Sequence, residues 1–133
     1  MDYSAPRLIL SVDFTDANNL LAGVMNLKGF KVSKSKSNED CLSLISQMED
    51  KIDVVLMDKQ SAVENDFYLV NKIKKMTPDT MVVIIADNAD EDEKLLDKNI
   101  DHLLVRPISP ENLADKVTYM LAKRELKRLK EAA

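Results

Sequence analysis

Apolar residues fall along this chain in two alternating rhythms. Short continuous runs closed by a charge read as strands buried on both faces, and apolar positions three and four apart read as helices with one core-facing stripe. The first run, Arg7-Leu8-Ile9-Leu10-Ser11-Val12-Asp13, ends in a carboxylate. Thr15 or Asp16 can cap the helix that follows, striped by Leu20, Leu21, Val24 and Met25, and Gly29 supplies a left-handed stop. Phe30-Lys31-Val32-Ser33 is a short second strand, with a polar loop at 34–37. Ser37 and Asp40 have the N-cap and N3 spacing of a capping box, and Cys41, Leu44, Ile45 and Met48 form the stripe of its helix.

The third run, Ile52-Asp53-Val54-Val55-Leu56-Met57-Asp58, again closes on an acid. A polar loop over 59–65 is expected next, then a helix with Phe67, Val70 and Ile73 on one face that Thr77-Pro78-Asp79 terminates. Met81-Val82-Val83-Ile84-Ile85-Ala86 is the longest β-branched run, hence a central strand. Five acids between Asp87 and Glu93 read as the solvated start of a short helix carrying Leu95 and Leu96; an EF-hand calcium loop would need a glycine and a spacing that are absent. Leu103-Leu104-Val105 is a fifth strand, closed by Arg106-Pro107. Ser109 caps the last helix with Pro110 at its first position, and the stripe Leu113, Val117, Met120, Leu121 continues through Leu126 and Leu129.

Strand and helix thus alternate five times. The order predicts one α/β domain with a doubly wound parallel sheet, flavodoxin-like in its strand order 2-1-3-4-5, over residues 1–122. Residues 123–133 form a basic helical extension of the last helix, with Lys123, Arg124, Lys127, Arg128 and Lys130 complementing the helix dipole. An exposed amphipathic end of this kind also permits partner binding or homodimer formation.

Composition narrows the function. With 45% hydrophobic residues, 32% charged residues and 2 glycines in 133, the chain is neither disordered nor fibrous. A net charge of −4 disfavours direct nucleic-acid binding. Cys41 and His102 are the only residues of their kinds, which excludes a disulfide framework, a cysteine-rich zinc site and histidine clusters. Cys41, at a stripe position, reads as core packing. No run approaches the ~18 apolar residues of a membrane helix, and the first residues lack signal-peptide character, so a soluble cytoplasmic protein is expected.

In the predicted order, strands 1 and 3 are neighbours, so Asp13 and Asp58 meet at the carboxyl edge of the sheet with Arg106 arriving from strand 5. Two adjacent carboxylates call for a proton or a cation between them, and oxygen donors without His or Cys suit Mg²⁺. The arrangement suggests phosphoryl transfer onto Asp58, with strand 5 supplying a neutralising cation. No glycine-rich loop follows strand 1, so dinucleotide binding is not expected.

Across residues 7–121 the chain resembles the receiver domain of two-component response regulators. The likeness rests on the strand-1 acid, Gly29 with Phe30, the run Asp53 to Asp58, the Pro78-Asp79 turn, and Arg106-Pro107 followed by Ser109-Pro110-Glu111-Asn112-Leu113. It implies that Asp58 is the phosphoacceptor, that Asp13 coordinates Mg²⁺, and that Gln60 lends its backbone carbonyl to the metal. It further implies that Arg106 stands for the phosphate-binding lysine, with a cis bond to Pro107. The implied partners are a histidine kinase or phosphotransfer protein, with a surface on the last two helices for a further protein partner.

The chain also departs from that pattern. Val12 replaces the first acid of the strand-1 pair, as judged from the sixteen-residue spacing of Asp13 and Gly29. Ala86 replaces the hydroxyl residue that binds the phosphoryl group, Leu103 replaces the switching aromatic, and Asp87 stands where a small residue is usual. Asp87 would either repel the incoming anion or serve as a substitute metal ligand. Two readings follow: a receiver phosphorylated on Asp58 with weakened Mg²⁺ binding and an atypical switch, or a degenerate receiver acting as a phosphorylation-independent interaction module. A Mg²⁺-dependent phosphohydrolase with Asp58 as nucleophile is a third class, disfavoured because no second general acid is visible.

Overall fold

A computed structural model describes residues 6–11, 15–48, 52–87 and 99–132. The elements are β1 (Arg7–Ser11), α1 (Thr15–Leu27), β2 (Lys31–Lys34), α2 (Asn38–Gln47), β3 (Val54–Asp58), α3 (Lys59–Met76), β4 (Met81–Ala86), β5 (His102–Val105) and α4 (Pro110–Ala132). All strand pairs are parallel and their order is β2-β1-β3-β4-β5, as the sequence predicts. The expected helix around Leu95 and Leu96 lies outside the described residues.

Alternation along the central strands builds two cores. Val54 and Leu56 of β3 and Met81, Val83 and Ile85 of β4 face α1 and α4, where Leu21, Met25, Leu113 and Val117 cover them. Val55 and Met57, with Val82 and Ile84, face the other way onto Cys41, Ile45, Leu69, Val70 and Ile73 of α2 and α3. Every residue of β4 is buried, which explains its unbroken apolar sequence. Each such side chain contributes about 1.5–3 kcal/mol of burial free energy.

The helix ends follow their local chemistry. Gly29 has φ +98°, the Phe30 amide donates to Met25 O at 3.0 Å, and the Gly29 amide donates to Asn26 O at 3.1 Å, a Schellman stop. Ser37 Oγ accepts from the Asp40 amide at 3.0 Å; the Asp40 carboxylate reaches back one residue further than a capping box requires, to the Lys36 amide at 2.8 Å. Ser109 caps α4 by accepting from the Asn112 amide at 3.1 Å.

The connection after β3 differs from expectation. Instead of a polar loop over 59–65, helical structure starts directly at Lys59 and is interrupted between Glu64 and Phe67, where Asn65, Asp66 and Phe67 have φ of 52°, 57° and 62°. Asn and Asp tolerate the left-handed region, whereas Phe67 is strained there. Its half-buried ring packs against the α2 and α3 side of the core, and that packing holds the conformation.

At the opposite, amino edge of the sheet, Asp53 joins three strands and α4. Its Oδ2 accepts from the Arg7 amide at 2.9 Å, its carbonyl accepts from the Met81 amide at 2.9 Å, and its Oδ1 pairs with Arg124 Nη2 at 3.3 Å. Arg124 also donates to Asp79 O at 2.7 Å. The basic extension is therefore continuous with α4, and its first arginine is fastened under the sheet.

Candidate functional site at the carboxyl edge of the sheet

β3 ends at Asp58 because the next residue turns straight into α3, and the Asp58 side chain is what starts that helix. Its Oδ1 accepts from the Ser61 amide at 2.8 Å, so one oxygen is held by an otherwise unpaired first-turn N–H. Asp58 is half-buried where the fully buried Val54–Met57 stretch gives way to the surface. The capping bond thus also fixes the orientation of this carboxylate at the sheet edge.

Beside it opens a cleft of about 700 Å³, lined by Lys36, Ser37, Asn38 and Glu39 from the start of α2 and by Asp58, Gln60, Ser61, Val63 and Glu64 from the start of α3. Asn38 ties its two walls together, donating through Nδ2 to Ser61 O at 3.1 Å and to Glu64 Oε2 at 3.2 Å. Sequence reading did not single out Asn38 or Glu64. Their lone signal was polarity, Asn38 in the first turn of an assigned helix and Glu64 in a stretch assigned as a loop.

Arg106 arrives as expected. Its amide donates to Ala86 O at 2.9 Å, seating it directly past the end of β5 and beside the end of β4, and its bond to Pro107 is cis. Asp58 pairs with Ile85 on β4, and Ala86 pairs with Val105 on β5. Asp58 and the Arg106 backbone are therefore two strands apart, about 10 Å of sheet width, a span suited to a long guanidinium arm. In the described conformation that arm turns to Asp87, with Nη1 at 3.2 Å from Oδ1. Asp87, for which the sequence offers repulsion of an anion or metal binding, here pairs with Arg106. Asp87 is 84% exposed, so the pair is open to solvent and readily exchanged.

Ala86 is fully buried and has no hydroxyl to offer. Leu103 is half-buried and packs on the α2 and α3 side of the sheet. Asp13 and Val12 lie outside the described residues. Among the described residues no three acidic, histidine or cysteine side chains gather as a metal cluster. The donors at Asp58 and the Gln60 backbone are nonetheless oxygens, the ligand type that Mg²⁺ takes. Gln60 itself is exposed on the cleft wall.

Two titratable groups elsewhere are displaced from their ordinary range. Burial pushes the Cys41 thiol up to about 12, so it stays protonated and inert in the core. His102, at the start of β5, is held below its usual value by desolvation, partly offset by Asp101. Neither lines the cleft. No helix among the described residues is long and apolar enough to cross a membrane.

No family model matches the chain. Among curated proteins it is 28% identical over 116 residues to an uncharacterized transcriptional regulatory protein of Bacillus subtilis, covering 86% of this chain and 50% of that protein. It is 26% identical over 102 residues to a cyclic di-GMP phosphodiesterase of Thermotoga maritima, covering 75% of this chain and 27% of that protein. The chain thus spans half the length of the first relative and about a quarter of the second. Among solved structures it superimposes on a response regulator of Thermotoga maritima with TM-score 0.76 at 18% identity, covering 89% of this chain and 98% of that one. A CheY-like receiver domain protein of Methanospirillum hungatei gives TM-score 0.78 at 18% identity, covering 93% and 99%. The chain has the fold of response-regulator receiver domains.

Proposed function

We propose that this chain is a signalling receiver that accepts a phosphoryl group on Asp58 from a phosphohistidine of a partner kinase or phosphotransfer protein, or from a small phosphodonor. The observation that supports this best is the placement of Asp58. It stands at the head of a fully buried strand, one oxygen held by the Ser61 amide, and borders an open polar cleft. A half-buried carboxylate whose orientation is fixed needs little reorganisation to attack.

In the transfer, a carboxylate oxygen of Asp58 attacks phosphorus and forms an acyl-phosphate P–O bond. The P–N bond to the donor imidazole breaks, and its electron pair stays on that nitrogen. Mg²⁺, held by Asp58, Asp13 and the Gln60 carbonyl, would supply charge neutralisation when bound. The chain's own part is to orient Asp58 through Ser61 and to bring Arg106 from Asp87 toward the phosphoryl oxygens, where a planar guanidinium can bind two of them. Exchange of an exposed ion pair costs about 1 kcal/mol or less, which a doubly charged phosphoryl group offsets.

The read-out departs from that of the family. With Ala86 in place of a hydroxyl and Leu103 in place of an aromatic, the bond that would couple the phosphoryl group to a side-chain switch is missing. A read-out through the strained segment at 64–67, next to the cleft, replaces it. The second reading, a phosphorylation-independent interaction module, is favoured by one observation: the cation that would bind phosphate is already paired with Asp87.

Incubation with Mg²⁺ and acetyl phosphate, or with a beryllofluoride mimic, distinguishes the two readings. The phosphoacceptor reading expects a mass gain or amide-shift changes around 58–64 that vanish in Asp58→Asn. Absence of both in the wild-type chain would leave the interaction module standing alone.

A further inference from the structure

Asn38 is the first residue of α2, yet other residues make the start of that helix. Ser37 Oγ accepts from the Asp40 amide at 3.0 Å, the Cys41 amide donates to Ser37 O at 3.0 Å, and buried Cys41 and Ile45 seat α2 on the sheet. Asn38 is thus carried by a rigid element while its carboxamide reaches across the cleft to α3. It meets Ser61 O at 3.1 Å and a carboxylate oxygen of Glu64 at 3.2 Å. A carbonyl and an ionised carboxylate only accept, so the Nδ2 faces both and donates one proton to each.

We propose that Asn38 is a positioning residue for Asp58, acting through Ser61. Ser61 is held by both of its backbone groups: its amide donates to Asp58 Oδ1 at 2.8 Å, and its carbonyl accepts from Asn38. The turn needs such a tie because α3 runs regularly only from Lys59 to Val63 before it breaks at Glu64, with φ −55° and ψ 134°. So short a helical segment does not hold its own first turn. Fastened to α2, the Ser61 amide stays aimed at Oδ1, and the carboxylate keeps one orientation at the cleft. The bond to Ser61 is part-buried and carries the hold; the bond to Glu64 lies on the solvent side and keeps the carboxamide turned toward α3. The effect of Asn38 on rate rests on the reading of Asp58 as the phosphoacceptor, whereas its hold on the turn does not. A misaimed nucleophile loses rate with every donor alike, while a lost donor contact acts only on the donor that made it.

The test compares the wild-type chain with Asn38→Ala, Asn38→Asp and Glu64→Ala, each confirmed as folded by circular dichroism. Asn38→Asp keeps the size of the side chain and removes its protons. In both Asn38 variants the Ser61 amide resonance should move upfield and the amide should exchange with solvent about 3- to 10-fold faster, the worth of one hydrogen bond. Phosphorylation of Asp58 by acetyl phosphate and by phosphoramidate should slow by that same factor with both donors. Glu64→Ala, which loses only the solvent-side bond, should change each quantity less than about 2-fold. An unmoved Ser61 amide in both Asn38 variants, a rate loss confined to one donor, or a Glu64→Ala effect as large as that of Asn38→Ala would each overturn the proposal. If the wild-type chain takes a phosphoryl group from neither donor, the phosphoacceptor reading fails on its own, and the Ser61 amide still decides whether Asn38 holds the turn.

Discussion

Arg106 and Asp87 form an ion pair of 3.2 Å across the carboxyl ends of β5 and β4, so the cation expected at the phosphate position is paired with the acid for which the sequence offered anion repulsion or metal binding. Asp87→Ala should remove this pair and raise the rate of Asp58 phosphorylation by acetyl phosphate about 2- to 5-fold, the worth of an exposed pair. Arg106→Ala should lower the rate below wild type. Stopped-flow or quenched mass measurements check both, and equal rates in all three proteins would remove Arg106 from the chemistry.

Asp58 also caps a helix, and substitutions can separate that role from chemistry. Asn is as good a cap as Asp, so Asp58→Asn should abolish the adduct while changing stability by only a few tenths of a kcal/mol; Asp58→Ala should abolish it and cost about 1 kcal/mol. Urea unfolding of the two variants, run beside the mass measurement, gives the comparison.

Half-buried Asp53 is expected to matter for stability. Asp53→Ala leaves the Arg7 amide without its acceptor and the Arg124 guanidinium without its carboxylate, and should cost about 1–3 kcal/mol. Thermal unfolding should show a drop of several degrees, with Arg124→Met giving a smaller one.

His102 makes stability depend on pH in a defined direction. Its proton affinity is lowered in the folded state, so the unfolded chain binds protons more readily once pH falls below the ordinary value of 6.5. Its contribution is complete above that value and is lost as pH falls through the lower folded value. His102→Gln should flatten the unfolding midpoint across that window and leave it unchanged at pH 8.

Cys41, with its thiol pushed up to about 12, should resist alkylation in native protein at pH 8 and react fully in denaturant. Native reaction at the denatured rate would contradict its placement in the core.

Strand order, both cores and the caps at Gly29, Ser37 and Ser109 were legible in the sequence because each rests on a local pattern: alternation, stripe, or a residue type that one backbone position demands. The placement of Asp58 and Arg106 was legible for the same reason, since each closes an apolar run. Three features were not. The Asp87 to Arg106 pair depends on a side-chain rotation at the edge of β4, the Asn38 bridge joins the starts of two helices distant in sequence, and the left-handed run at 65–67 is held by packing of Phe67 against its own periodicity. Asp13 and the helix expected near Leu95 lie outside the described residues.

Strand β3 is pinned at its foot by Asp53, bonded to both neighbouring strands and to α4, and at its head by Asp58, bonded to the start of α3. A rod clamped at both ends cannot slide, so chemistry at its head has no route along the strand. If Asp58 is phosphorylated as proposed, displacement would pass sideways, toward the left-handed turn between Glu64 and Phe67. Phosphorylation would then act as a latch on that turn, trading its strained left-handed backbone for a relaxed one.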